Sequence, residues 1–297
     1  MASWNITRFH NDFKRWVRNK RYRKDVYREL EAAIALPTTT AAQTTRRLHE
    51  LAFHLERVGI CNRYEGASAL LDGDGDGWRK LRCGLEASCW NVRTCRALVW
   101  GRFIRLDYLP FTAAQCLGQA MAMRCDAWAD WLGAAMLEDV LALKRPLSTT
   151  TRSAAGAHLL RLYCTWRRRE ADWAAVRRPR PGIFRFLWTH WHHPAKFAAV
   201  IGKACEDHCA QIPPPQRGDL ADVLHVFPVE ILAVQRVRRE QELPWPEIDH
   251  PLLATPLARI PARKIPECAD PLIQKAIRIL KAEVPALERK LAQGERS

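Results

Sequence analysis

The chain has 297 residues, of which 47 are Lys or Arg and 32 are Asp or Glu, so its formal net charge at pH 7 is +15. Hydrophobic residues make up 48% of the chain, including 12 Trp and 9 Phe, which excludes a disordered chain and supports a packed core. No run of about 18 apolar residues occurs, and the first residues lack the apolar segment of a secretory signal. We therefore expect a basic, globular, cytoplasmic protein with no membrane segment.

Apolar residues recur at helical spacing along most of the chain, and no segment alternates as a strand does. A strongly basic segment from about Thr7 to Ala35 is the first predicted helix. Thr40 and Gln43 form a capping box at the start of the next helix, which we expect to end at Gly59. The turn at Asp72–Gly77 precedes a further helix.

A second capping box is predicted at Thr112 and Gln115, at the start of a long helical stretch that reaches about Leu143. Because thirty continuous residues exceed a typical helix, we expect a break near residues 124–126. Pro194 suits the first position of a later helix.

Six prolines lie between residues 243 and 266, and this density excludes an ordinary helix there. We expect this segment to be an extended, proline-rich wrapping arm, followed by a last helix that begins at Asp270 and Pro271. The predicted fold is all-α, a multi-helix bundle of about 9–11 helices. It forms a single helical domain over residues 1–297, with a subdivision point near 177–182.

The ten cysteines contain no CxxC pair, and without an export signal we expect them to be reduced, buried thiols. The sequence from Asp72 to Gly77 matches the first half of a calcium loop. Its ninth and twelfth positions are Lys80 and Cys83, which supply no carboxylate, so a helix-capping turn is the better interpretation.

A zinc site is a second hypothesis for the densest group of histidines and cysteines, because tetrahedral zinc accepts these ligands. The spacing matches no common zinc signature and equally fits a stripe of core residues, so no cofactor is expected. The candidate ligands are His190, His193, Cys205, His208 and Cys209. No GxSxG, GxxxxGK[ST], GxGxxG or HExxH motif occurs, and we therefore expect no enzyme activity.

Two basic clusters are the main departure from average composition. Arginines interleaved with aromatic residues suit nucleic acid, through phosphate contacts and base stacking, and suit an acidic protein surface equally well. A solvated basic face without a partner is the third interpretation. The candidate partner-binding residues are Arg15, Arg18, Lys20, Arg21, Arg167, Arg168, Arg169, Arg177 and Arg178.

Three stretches resemble a known family. The sequence DGDGDGW (Asp72–Trp78) leads into the helix Leu81–Leu98, and the run Phe227–Glu240 precedes the proline-rich arm and Asp249–Leu253. In these features the chain resembles the all-helical immunity proteins of bacterial polymorphic-toxin systems, in particular the group called immunity protein 49. The resemblance implies a cytoplasmic, non-catalytic protein that binds and neutralises a cognate toxin. The net positive charge would match an acidic toxin surface, and a basic nucleic-acid-binding protein is the alternative.

Overall fold

The computed structural model describes residues 5–99, 109–143, 154–175, 183–210, 212 and 222–292. All regular elements in these ranges are helices, which confirms the predicted all-α, multi-helix fold. None of the described helices combines the length and apolar character that a bilayer span requires. The α-helices are α1 (Ile6–Val17), α2 (Lys20–Ile34), α3 (Ala41–Leu71), α4 (Gly77–Val99), α5 (Leu109–Ala122), α6 (Asp126–Leu143), α7 (Ala154–Trp166), α8 (Glu170–Ala175), α9 (Ile183–Thr189), α10 (Pro194–Ala210), α11 (Val229–Glu240), α12 (Pro251–Ala254) and α13 (Pro271–Ala292).

The chain divides into two compact units, each built from two separate stretches. The first unit comprises Met1–Asp12 and Ala113–Lys264, and the second comprises Phe13–Thr112 and Ile265–Ser297. The subdivision point expected near 177–182 lies outside the described residues.

Glycines allow α3 and α4 to approach closely in the second unit. Contrary to the prediction, α3 does not end at Gly59 but continues to Leu71. A Cβ atom on Gly59 would lie 3.1 Å from the carbonyl oxygen of Gly84, and one on Gly66 would lie only 2.7 Å from that of Gly77. Gly59 therefore serves the contact between two helices rather than a helix end, which a rule based on local capping cannot distinguish.

Capping signals placed one helix start correctly and one wrongly. The Thr40 hydroxyl accepts a hydrogen bond from the backbone N–H of Gln43 at 3.2 Å, and the Gln43 side chain accepts one from the N–H of Thr40 at 3.2 Å, so the first capping box is confirmed. The second is wrong, because α5 already begins at Leu109 and Thr112 lies inside it.

Two long predicted segments are interrupted by short turns. The break expected near residues 124–126 is confirmed, since α5 ends at Ala122, Arg124 has a φ of 57°, and α6 begins at Asp126. The basic segment from about Thr7 to Ala35 is not one helix but two. The Asn19 side chain caps α2 by accepting a hydrogen bond from the N–H of Tyr22 at 3.2 Å.

One cysteine pair is oxidised, so the expectation that all ten cysteines are reduced is wrong. Cys83 in α4 and Cys268, just before α13, form a disulfide with their Cα atoms 4.5 Å apart. Since 185 positions separate them in sequence, no local spacing could indicate the pair. The other eight cysteines are thiols, and six of them are buried.

A fully buried arginine holds the start of the proline-rich segment in the first unit. Arg238 in α11 donates hydrogen bonds to the carbonyl oxygens of Trp191 and, at 2.8 Å, Pro244. Its guanidinium lies 3.7 Å from the ring centroid of Phe197, and burial lowers the pKa of Arg238. Only α12 and one 3-10 turn interrupt the extended backbone between residues 243 and 266, as the prolines predict.

Candidate partner-binding surface

Exposed cations surround the turn between α1 and α2 in the second unit. We call Arg15, Arg18, Lys20, Arg21 and Lys24 the basic corner, and all five are exposed. The first turn of α2 carries no acidic residue, and two of these cations lie there instead. Because the N-terminus of a helix has a partial positive charge, cations in this position are unfavourable for the helix itself.

The neighbours of the basic corner are neutralised within the unit, but most of the corner is not. Among the described residues, no carboxylate lies within 4 Å of Arg18, Lys20, Arg21 or Lys24. Their charges are therefore available to a partner. The paired neighbours are Lys14 with Asp72 at 2.6 Å, Arg23 with Glu65 at 2.7 Å, and Arg28 with Asp25 at 3.0 Å.

Two exposed rings and one guanidinium lie together on α2 and α3, and we call them the aromatic patch. Phe53 is 53% exposed and Tyr22 is 36% exposed. The Arg57 guanidinium carbon lies 5.7 Å from the Tyr22 ring centroid and 5.8 Å from that of Phe53, within range of a cation–π interaction with both. Beneath them, the buried Trp16 ring contacts Tyr22 edge-on at 5.7 Å.

Carboxylates border the aromatic patch. Glu29 accepts a hydrogen bond from Arg57, and it also lies 3.5 Å from Nδ1 of His54. Glu50 lies 3.4 Å from Nε2 of the same imidazole, whose ring meets the Phe53 ring edge-on at 5.1 Å. The patch therefore presents apolar rings together with charges of both signs.

In the second basic cluster, the predicted partner-binding residues are Arg167, Arg168, Arg169, Arg177 and Arg178, and Arg167 is bonded within its own unit. Arg167 donates two hydrogen bonds to Asp130, at 2.6 and 2.8 Å, and its guanidinium carbon lies 3.5 Å from the Trp166 ring centroid. Arg236 lies 4.5 Å from the same centroid and pairs with Asp126 at 2.8 Å. The indole and both guanidinium groups thus connect α6, α7 and α11.

The remaining members of this cluster differ in their surroundings. Arg169 pairs with Asp172 at 2.6 Å. Arg168 is exposed, adopts a φ of 55°, and has no carboxylate within 4 Å among the described residues. Arg177 and Arg178 lie outside the described residues. Among the described arginines of this cluster that were predicted to bind a partner, Arg168 alone resembles the basic corner.

Among the residues that the structure describes, no three His, Cys, Asp or Glu side chains are arranged to hold a metal ion, so the candidate zinc ligands are not assembled into a site there. His190 and His193 face each other edge-on, with ring centroids 6.3 Å apart. Burial raises the pKa of Cys205 to about 12 and that of Cys209 to about 11, so both remain protonated thiols. His208 is bonded to a carboxylate instead.

That carboxylate belongs to Glu230, whose Oε1 lies 2.5 Å from Nδ1 of His208. Nε2 of His208 lies 3.3 Å from the carbonyl oxygen of His225. Burial alone lowers the pKa of His208, but the charge and hydrogen bond of Glu230 raise it overall, and the pKa of Glu230 is correspondingly lowered despite its burial. His208 and Glu230 thus form an ion pair within the first unit.

Comparison of the chain with protein-family models, curated proteins and solved structures finds no match.

Sequence reasoning placed the basic corner on the surface but missed the aromatic patch. A signal was present in the helical periodicity. Phe53 lies off the stripe of buried residues of α3 that includes Leu48, Leu51 and Leu55. Tyr22 differs, because it lies one turn before Val26 and is in line with the buried residues of α2, so this signal was available only for Phe53. A large aromatic residue outside the core stripe of an amphipathic helix marks a candidate contact surface.

Proposed function

We propose that this chain is a non-catalytic binding protein that recognises an acidic partner protein through the basic corner of its second unit. One observation carries the proposal: Arg18, Lys20, Arg21 and Lys24 are exposed and have no acidic partner among the described residues, while the cations around them are paired. Exposed charges that have no acidic partner steer association with an oppositely charged surface. They also weaken the binding of partners that carry the same charge.

The partner that best fits is a toxin, and the protein would act in the cytoplasm as its immunity protein. The resemblance to all-helical immunity proteins of polymorphic-toxin systems supports this assignment. A protein that neutralises by binding needs a preformed surface rather than a reactive group.

Co-expression with the product of a gene that neighbours the gene for this chain, taken as the candidate toxin, tests the proposal. Cells that produce the toxin should survive with the wild-type chain and die with the triple charge reversal R18E/K20E/R21E. The matched control is K275E/R278E/K281E, which reverses three exposed cations of α13 in the same unit. Survival with the basic-corner variant, or equal loss of protection with the control, would contradict the proposal.

Nucleic-acid binding is the second candidate, because the same unpaired cations lie next to the exposed Tyr22 ring. Four phosphates neutralised at the basic corner predict a slope of log K against log salt of roughly −3 for single strands and about −3.6 for duplex DNA. A filter-binding titration across salt concentrations measures this slope. A flat salt response, or no binding at low salt, excludes the second candidate.

A further inference from the structure

We propose that the aromatic patch is the centre of the partner interface, and that its occupant is an acidic protein segment that places an apolar side chain against Phe53 and Tyr22. The inference rests on the proposed function and adds to it the chemistry of the occupant. Charged residues of the basic corner then form the rim of the contact. A buried aromatic and arginine centre with a charged rim is the usual anatomy of a specific protein interface.

The patch is held in place before any partner arrives. Arg57 lies against both rings, His54 meets the edge of Phe53, and Trp16 supports Tyr22 from below. Because these contacts already restrict the side chains, little conformational freedom is lost on binding. Phe53 is nonetheless 53% exposed, so a large part of its ring has no apolar neighbour within the chain.

Surrounding charges favour protein over nucleic acid at the patch itself. The Glu29 and Glu50 carboxylates both lie within 3.5 Å of the His54 imidazole, which contacts Phe53. A base stacked on Phe53 would bring its phosphates close to these carboxylates, and like charges repel. A protein segment avoids this conflict because it can present its apolar side chain here and its carboxylates elsewhere.

Charge complementarity fixes where the carboxylates of the occupant lie. The unpaired cations nearest to Tyr22 in sequence are Arg21, which directly precedes it, and Lys20 and Lys24, which each lie two positions away. An amphipathic helix with an apolar stripe and acidic flanks satisfies both requirements: the stripe covers the rings and the acidic flank faces the basic corner.

Fluorescence anisotropy with defined probes tests this inference. The first probe is a labelled amphipathic peptide of about 20 residues, roughly 30 Å long as a helix, with Leu and Trp on one stripe and Glu on the flanks. The second is a poly-Glu peptide of equal charge, and the third is a thymidine oligonucleotide. Each is titrated with the wild-type chain and with F53A, F186A and R18E/K20E/R21E. Phe186 is the matched control, because it is 56% exposed and lies in the first unit.

We expect the amphipathic peptide to bind at least tenfold more tightly than poly-Glu, and F53A to abolish this difference while F186A leaves it unchanged. Equal binding of the two peptides, or equal effects of F53A and F186A, would overturn the inference. Tighter binding of the oligonucleotide that F53A weakens would also overturn it, in favour of base stacking.

The same titrations separate this inference from the proposed function. R18E/K20E/R21E should weaken both peptides, since both are acidic. If it weakens neither, the role of the basic corner fails whatever the result for F53A. If it weakens both while F53A has no effect, the basic corner binds an acidic partner but the aromatic patch is not the centre of the contact.

Discussion

A buried histidine should make the first unit sensitive to mild acid. His158 in α7 is 3% exposed, stacks on the Phe184 ring at 4.1 Å, and has no hydrogen-bond partner for either ring nitrogen among the described residues. Burial lowers the pKa of His158 to about 3; the charge of Glu230 opposes this shift and that of Arg161 adds to it. The folded protein therefore keeps this imidazole neutral where the unfolded chain would protonate it.

The sign and size of the effect follow from linkage. A folded pKa below the unfolded value of about 6.5 means that the unfolded state binds more protons between about pH 6.5 and pH 3, so stability falls as the pH is lowered through that range. At about 1.36 kcal/mol per pKa unit, the complete loss is about 5 kcal/mol. At pH 4.5, two units below the unfolded pKa, the loss is about 3 kcal/mol.

Urea unfolding followed by circular dichroism at pH 7 and pH 4.5 measures this loss. The variant His158→Phe keeps a ring against Phe184 but removes the titrating group. Its loss of unfolding free energy between the two pH values should be smaller than that of the wild type by about 3 kcal/mol. The exposed His192 provides the control, because His192→Gln should lose as much as the wild type. Equal acid sensitivity of the wild type and His158→Phe would refute the reasoning.

Three further predictions concern stability and protonation. Replacing Cys83 and Cys268 by Ser should lower the free energy of unfolding by about 5 kcal/mol, on the loop-entropy model for a separation of 185 positions. Denaturant unfolding of the oxidised protein measures this loss, and dithiothreitol should not change the stability of the variant. Gly66→Ala should cost about 1–3 kcal/mol in the same assay, since its Cβ would lie 2.7 Å from a backbone oxygen of α4; an unchanged midpoint would contradict the close approach. Glu230→Gln should lower the pKa of His208, because burial lowers this pKa while the charge and side-chain hydrogen bond of Glu230 raise it. An NMR titration of the imidazole that shows no decrease would contradict the ion pair.

Features of the fold that depend on residues close together in sequence were predictable from the sequence. The capping box at Thr40 and Gln43 and the break near residues 124–126 arise from hydrogen bonds and backbone conformations within one turn of the chain. Gly59 was misread because its local context is that of a helix end, while its actual neighbour, Gly84, is contributed by another helix. The disulfide was missed for the same reason, since its partners meet only in the folded chain.

The candidate site shows the same limit. The sequence showed that Arg18 and Arg167 belong to basic clusters. It could not show that Arg167 is bound to Asp130, 37 positions away, while Arg18 has no acidic partner in the described part of the chain. The density of charge along the chain is a local property. Whether a charge is already neutralised depends on which carboxylates the fold brings near it, so only the structure separates the two clusters.

Arginine and aromatic side chains are in contact in both units. The aromatic surface that such a group leaves exposed to solvent determines whether it can bind a partner. Around Trp166, the guanidinium groups of Arg167 and Arg236 lie against the indole and their donors are bonded to carboxylates of the same unit. At the aromatic patch, Arg57 touches Phe53 while more than half of that residue remains in water. An aromatic residue has about 150–250 Å² of surface, so covering the exposed part of Phe53 removes roughly 100 Å² from water, worth about 2.5 kcal/mol. The contacts of Trp166 with Arg167 and Arg236 stabilise the packing of three helices within the unit. At the aromatic patch, the exposed part of Phe53 is still in water, so its burial can contribute to the free energy of binding a partner.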